Sequence, residues 1–127
     1  MSKVRFKKTS KYDHKVSIAI VGAGAAGLVA ALAAKDNGVD VMVFERDNVP
    51  SGSTALSSGF IPACNTRWQS AIASIDTVDI FVDDIQRKNK NQSDRQFVRN
   101  VCSVSANVLH WLVDKHEPVS YTHLRAH

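Results

Sequence analysis

Gly22, Gly24 and Gly27 stand in the spacing G-x-G-x-x-G, and Glu45 follows eighteen residues after the last of them. Each residue type suits one part of a dinucleotide. Gly22 permits a sharp turn, Gly24 withholds a side chain so that the backbone can approach a pyrophosphate, and Gly27 lets a helix pack closely on a strand. A helix starting near Ala25 would aim free N–H groups and a partial positive charge at the phosphates. Glu45 is placed to accept hydrogen bonds from a ribose diol, and an acid there disfavours a 2′-phosphate. The chemistry these residues can do is binding and orientation.

The elements that must position them are written in the order of the residues. In "VSIAIVGAGAAGLVAALAA", residues 16–34, the β-branched set Val16, Ile18, Ile20 and Val21 comes first and the helix formers Leu28 to Ala34 come last, with the glycines at the join. That order predicts strand, tight turn, helix. "GVDVMVFE" is a second apolar run, entered through Gly38 at a helix C-terminus and closed by Glu45. The first stretch also imitates a secretory signal, being uncharged for nineteen residues behind a tail with six of the sixteen lysines and arginines. Eleven of those nineteen residues are alanine or glycine, which favour membrane insertion poorly. The stretch therefore reads as the core of a cytoplasmic nucleotide unit, with no membrane partner.

A chain of 127 residues has room for one small domain. The net charge of +4 resides in the basic tail, residues 1–15; beyond it ten Lys/Arg face eleven Asp/Glu. No basic helix interleaves aromatics, so the tail reads as a solubilising arm and nucleic acid is not an expected partner. Cys64 and Cys102 are far apart in sequence with no C-x-x-C, which predicts reduced thiols and no metal site.

After Glu45 comes a long polar loop, "RDNVPSGSTALSSGFIPACNTRWQ", whose Ser51 to Gly59 section offers small hydroxyls and backbone N–H groups. Two helices are expected next. Asp76 can cap the first, which places Val78, Phe81, Val82 and Ile85 on one apolar face. Ser93 and Gln96 form a capping box for the second, where Phe97, Val101, Val104, Val108 and Trp111 recur at core spacing. His110 and His116 lie six apart and share no helix face, and adjacent Asp83 and Asp84 make no dyad. Arg67, at the loop's exit, has no partner visible in the sequence.

Together, "IVGAGAAGLVAALAAKDNGVDVMVFER", "SGSTALSSGFIPACNTRWQ" and the helical pair up to Lys115 resemble the N-terminal part of the FAD-dependent fumarate reductase and succinate dehydrogenase flavoprotein family, over residues 16–117. The soluble flavocytochrome-type fumarate reductases and the 3-ketosteroid dehydrogenases are the nearer branches. The resemblance implies a Rossmann-like FAD-binding βαβ unit, part of a glutathione-reductase-like three-layer α/β fold that is incomplete here. It implies that Gly22, Gly24, Ala26 and Gly27 surround the FAD pyrophosphate, that Glu45 holds the adenosine ribose, and that Ser53, Thr54, Ser58 and Gly59 line the flavin side. Members with covalent FAD carry histidine at the place of Ser53, so FAD is expected to be non-covalent. The family has glycine at the place of Ser51, a departure that bears on the local turn.

The activity so implied is hydride transfer between FAD and a C=C or CH–CH substrate that is fumarate-like or ketosteroid-like, with a small-molecule substrate and an electron donor or acceptor as partners. Catalytic residues of the family lie in later segments, so residues 16–119 are expected to be the N-terminal part of an FAD-binding domain, inactive alone. The end, "SYTHLRAH", resembles sequencing-adapter read-through, and residues 120–127 are expected to be non-native. Two other readings stay open: a non-catalytic truncated nucleotide-binding module, and an NAD-binding Rossmann domain.

Overall fold

The computed structural model describes residues 11–117. They fall into two units, one running through Ser58 and the other starting at Gly59. The expectation for residues 120–127 lies outside the described residues.

The first unit contains β1 (Ile18–Val21), α1 (Ala25–Asp36), β2 (Val41–Phe44) and a single helical turn, α2 (Ser53–Leu56). β1 and β2 pair in parallel, Ile18 opposite Val41 and Val21 opposite Phe44. A parallel pair needs a crossover, and α1 supplies it. α1 stops at Gly38, whose φ of 69° is left-handed, and the N–H groups of Gly38 and Val39 donate to the carbonyls of Lys35 and Ala34. The result is a mixed helix and strand unit, as the residue order predicts.

Residues 16–34 do not, however, form a buried core. α1 contains no buried residue, Val21 is 89% exposed, and among the described residues of this unit Ala23 alone is buried. One helix covers at most one face of a two-stranded sheet, whereas parallel sheets are normally buried by helices on both faces.

The second unit consists of α3 (Arg67–Ala71), α4 (Val78–Lys88) and α5 (Arg95–His116). Arg99 pairs with Asp79 and Arg95 with Asp83, so α4 and α5 run antiparallel. Exposed pairs of this kind add little stability and chiefly mark the register. The core is Val82, Val98 and Cys102, with Val78, Phe81 and Ile85 packed against it. The α4 face is the one expected. The α5 face is not: Val98, Cys102, Leu109 and Leu112 are buried, while Phe97, Val101, Val104 and Val108 are exposed. Both stripes are apolar at helical spacing, and the packing selects the one shifted by one residue.

Both expected caps also move by one residue. Thr77, not Asp76, caps α4 by accepting from Ile80 N–H at 3.3 Å, because the Asp76 carboxylate is taken by Gln69 Nε2 at 2.7 Å. Asp94, not Ser93, caps α5 through Phe97 N–H at 2.7 Å; Ser93 Oγ accepts from Asn89, and Gln96 bonds Asn100. A capping box does exist, at Thr66 and Gln69 of the unanticipated α3.

Arg67 has the partner its sequence hides. Its guanidinium forms a two-pronged pair with Asp114, stacks over Trp68 with 4.5 Å to the ring centroid, and its backbone N–H donates to His110 Nε2. The clasp ties α3 to the last turns of α5. Cys64 and Cys102 are both free and buried, and the Cys64 thiol donates to the Cys102 carbonyl at 3.6 Å. No helix among the described residues is long and apolar enough to cross a membrane.

Candidate functional site

The turn between β1 and α1 gathers most of the residues singled out above. Gly22 has φ 102°, which a residue with a side chain rarely adopts, and its N–H donates to the Phe44 carbonyl at 2.7 Å, tying the turn to the end of β2. Gly27 lies where α1 presses on the strand: a Cβ there would stand 2.0 Å from the Gly22 carbonyl oxygen and 3.2 Å from Ile20 Cγ2. Ala26 sits exposed in the first turn of α1.

Gly24 differs from both. It caps α1 with φ −76° and ψ 176°, ordinary extended backbone, and among the described residues a Cβ would meet only Thr54 Oγ1 at 3.5 Å. Neither conformation nor packing against the described residues requires glycine here. Bare backbone at a helix N-terminus is what a bulky anion needs for close approach.

Two side chains close on the turn from β2 and the loop beyond it. Glu45 Oε2 accepts the N–H of Ala23 at 2.8 Å, and Oε1 accepts those of Arg46 and Asp47 at 2.7 and 3.2 Å. These N–H groups, Ala23 first, hold the carboxyl below the usual glutamate range. Of a carboxylate's roughly four lone-pair sites three are used, which leaves Oε2 able to accept from a hydroxyl donor. Thr54 Oγ1 accepts the Ala25 N–H at 3.1 Å. Ser53, next to it, begins α2 after Gly52, whose φ 87° and ψ −157° are open essentially to glycine alone. Ser58 is the last residue of this unit, and Gly59, φ 75°, is the first of the other.

The structure thus brings together Gly22, Gly24, Ala26, Gly27, Glu45 and Thr54. Sequence reasoning missed Ala23, whose buried N–H anchors Glu45, and Asp47, which accepts from Arg46 Nε at 3.2 Å and from the Ser51 hydroxyl at 2.7 Å. Asp47 had a signal: it is an acid two residues past Glu45 and four before a serine.

A pH dependence follows from Glu45. Its folded-state pKa is lowered, so its contribution is complete above the ordinary glutamate value of about 4.3 and is lost only as pH falls through the lower folded value. In a titration followed by amide NMR, the Ala23 N–H is expected to move with a midpoint below that value, and Glu45→Gln to remove the transition. A midpoint at or above the ordinary value would contradict the hydrogen-bond assignment.

Comparison with known proteins gives one family, described as FAD binding domain, whose profile matches residues 17–126. A probable fumarate reductase of Shewanella frigidimarina is 33% identical over 100 residues, 79% of this chain and 17% of that protein. An open-conformation flavocytochrome c3 fumarate reductase superposes with TM-score 0.72 at 31% identity, covering 78% of this chain and 18% of the other. The 3-ketosteroid-Δ4-(5α)-dehydrogenase of Rhodococcus jostii superposes with TM-score 0.73 at 29% identity, covering 83% and 22%. The chain therefore spans about a fifth of the length of these relatives.

Proposed function

Because this chain belongs to the FAD binding domain family, we propose that its first unit holds the pyrophosphate and adenosine ribose of a non-covalent FAD, as the N-terminal part of a flavin-dependent oxidoreductase. The observation that carries the reading is Gly24, the N-cap of α1, where neither the backbone conformation nor a close contact among the described residues calls for glycine. Gly22, Gly24, Ala26 and Gly27 would receive the pyrophosphate on backbone N–H groups, where the helix end favours negative charge. Glu45 would accept from the ribose through Oε2 while its Ala23 bond keeps the carboxylate in place. Ser53, Thr54, Ser58 and Gly59 would line the flavin side. The βαβ unit would be one piece of a Rossmann-like, three-layer fold whose other strands and helices cover the exposed sheet.

When bound, FAD supplies hydride transfer to or from a C=C or CH–CH bond, fumarate-like or ketosteroid-like; the chain's own residues bind and orient it. Fumarate is an activated alkene, and a Δ4 ketosteroid dehydrogenase works on a C–C bond near a ketone, which supports this substrate class. The partners are a small-molecule substrate and an electron donor or acceptor. Two buried free thiols support a reducing, cytoplasmic setting. This segment alone is expected to bind FAD weakly and to lack turnover, since part of a site orders its ligand at nearly full entropic cost.

The test is a longer protein that carries this chain. It is expected to purify yellow and, since Ser53 cannot tether the ring, to release all its flavin on acid precipitation. Colourless protein that binds NAD, or flavin that stays with the precipitate, would overturn the reading.

A further inference from the structure

We propose that Asp47 and Ser51 form a brace that positions α2 against the glycine turn, and that this brace sets affinity for the flavin half of the cofactor while leaving the adenine-nucleotide half untouched. The inference rests on the FAD reading above and adds two positioning residues to it.

The stretch from Glu45 to Thr54 is fastened to the turn at both ends. Glu45 holds the Ala23 N–H at one end, and Thr54 holds the Ala25 N–H at the other. Between them the residues are exposed, and a span of this kind has many conformations to lose. Asp47 and Ser51 close it: the Ser51 hydroxyl donates to Asp47 Oδ2 at 2.7 Å across Asn48, Val49 and Pro50, while Arg46 Nε donates to Asp47 Oδ1. Those two donors, Arg46 first, hold the Asp47 carboxyl below the usual aspartate range, and it is an ionised acceptor at neutral pH.

Ser51 stands directly before Gly52, the residue at which the chain turns through a conformation open to glycine. Tethering Ser51 therefore fixes the direction in which α2 leaves, and with it the placement of Ser53 and Thr54. The Ser51 hydroxyl supplies that tether directly before the glycine that turns the chain. Glu45 Oε2 reaches Ala23 directly, and Asp47 meets Glu45 through its backbone N–H, which loss of the Asp47–Ser51 side-chain bond leaves in place, so the adenosine end does not depend on that bond.

The experiment uses this chain and four variants, Ser51→Ala, Ser51→Thr, Asp47→Ala and the double variant Asp47→Ala/Ser51→Ala, titrated with FAD and, separately, with ADP. Ser51→Ala is expected to weaken FAD binding about fivefold, the scale of one hydrogen bond, with ADP affinity within about twofold of the parent. Ser51→Thr, which keeps the hydroxyl, should restore FAD affinity. The double variant should lose no more than either alanine single variant, because both remove the same bond. Equal losses for FAD and ADP, no loss at all, or additive losses would overturn the brace. Amide NMR of the ligand-free chain decides independently: Ser51→Ala should shift the Thr54 and Ala25 amides, and unchanged amides would also overturn it. Parent chain that binds neither ligand leaves the FAD reading to be decided by the longer protein, and the Ala25 shift would still decide the brace.

Discussion

Gly27→Ala is expected to unfold the βαβ unit. The added methyl would stand 2.0 Å from the Gly22 carbonyl oxygen, 3.2 Å from its carbon and 3.2 Å from Ile20 Cγ2, so both backbone and strand must give way. Overpacking a fitted contact costs about 1–3 kcal/mol, and the cost rises when the obstacle is backbone. A unit with one buried residue among those described has little margin to absorb it. The check is urea unfolding followed by the amide signals of residues 16–45. Loss of dispersed signals without denaturant is the expected result, and a midpoint equal to that of the parent would show that helix and strand do not meet at Gly27.

Gly24→Val is expected to leave the fold in place and remove FAD binding. The extended backbone at this position suits a β-branched residue, and the new Cβ meets Thr54 Oγ1 at an ordinary 3.5 Å. The valine methyls, however, would occupy the space over the first N–H groups of α1 that a phosphate must enter. A loss of at least about a hundredfold in affinity, roughly 2.7 kcal/mol, is expected. Circular dichroism should match the parent while FAD titration shows the loss. Undiminished FAD affinity would mean that the pyrophosphate does not lie on this turn. Together the two variants separate a glycine kept by packing from one kept by a ligand, although the spacing G-x-G-x-x-G presents them alike.

The sequence made the strand, turn and helix of the first unit legible because backbone demands are local there. Gly22 and Gly38 take left-handed conformations where the residue order called for a turn and a helix stop. What it could not show depended on choices between equivalent neighbours. Asp76 and Thr77, or Ser93 and Asp94, can each cap the same helix; Gln69 and Asn89, distant from the cap itself, engage one member and leave the other free for the task. Apolar residues occupy two adjacent stripes of α5, and only contact with α4 selects Val98 and Cys102 over Phe97 and Val101. Arg67 and Asp114, 47 residues apart, carry no mutual signal along the chain. At the candidate site Glu45 was legible through its spacing, whereas its anchor is a backbone N–H, which every residue except proline possesses.

The sealed thiols give the second unit a chemical clock. Cys64 and Cys102 are each 1% exposed, one in the segment before α3 and the other in the middle of α5. Burial also raises the Cys102 pKa and so keeps its reactive thiolate scarce. An alkylating reagent can reach either sulfur only after the surrounding helices part, and its rate of uptake at each position then reports how often that part of the unit opens. Modification mapped separately to the two positions would tell fraying beside α3 from separation of the long helices, with no reporter group added to the chain.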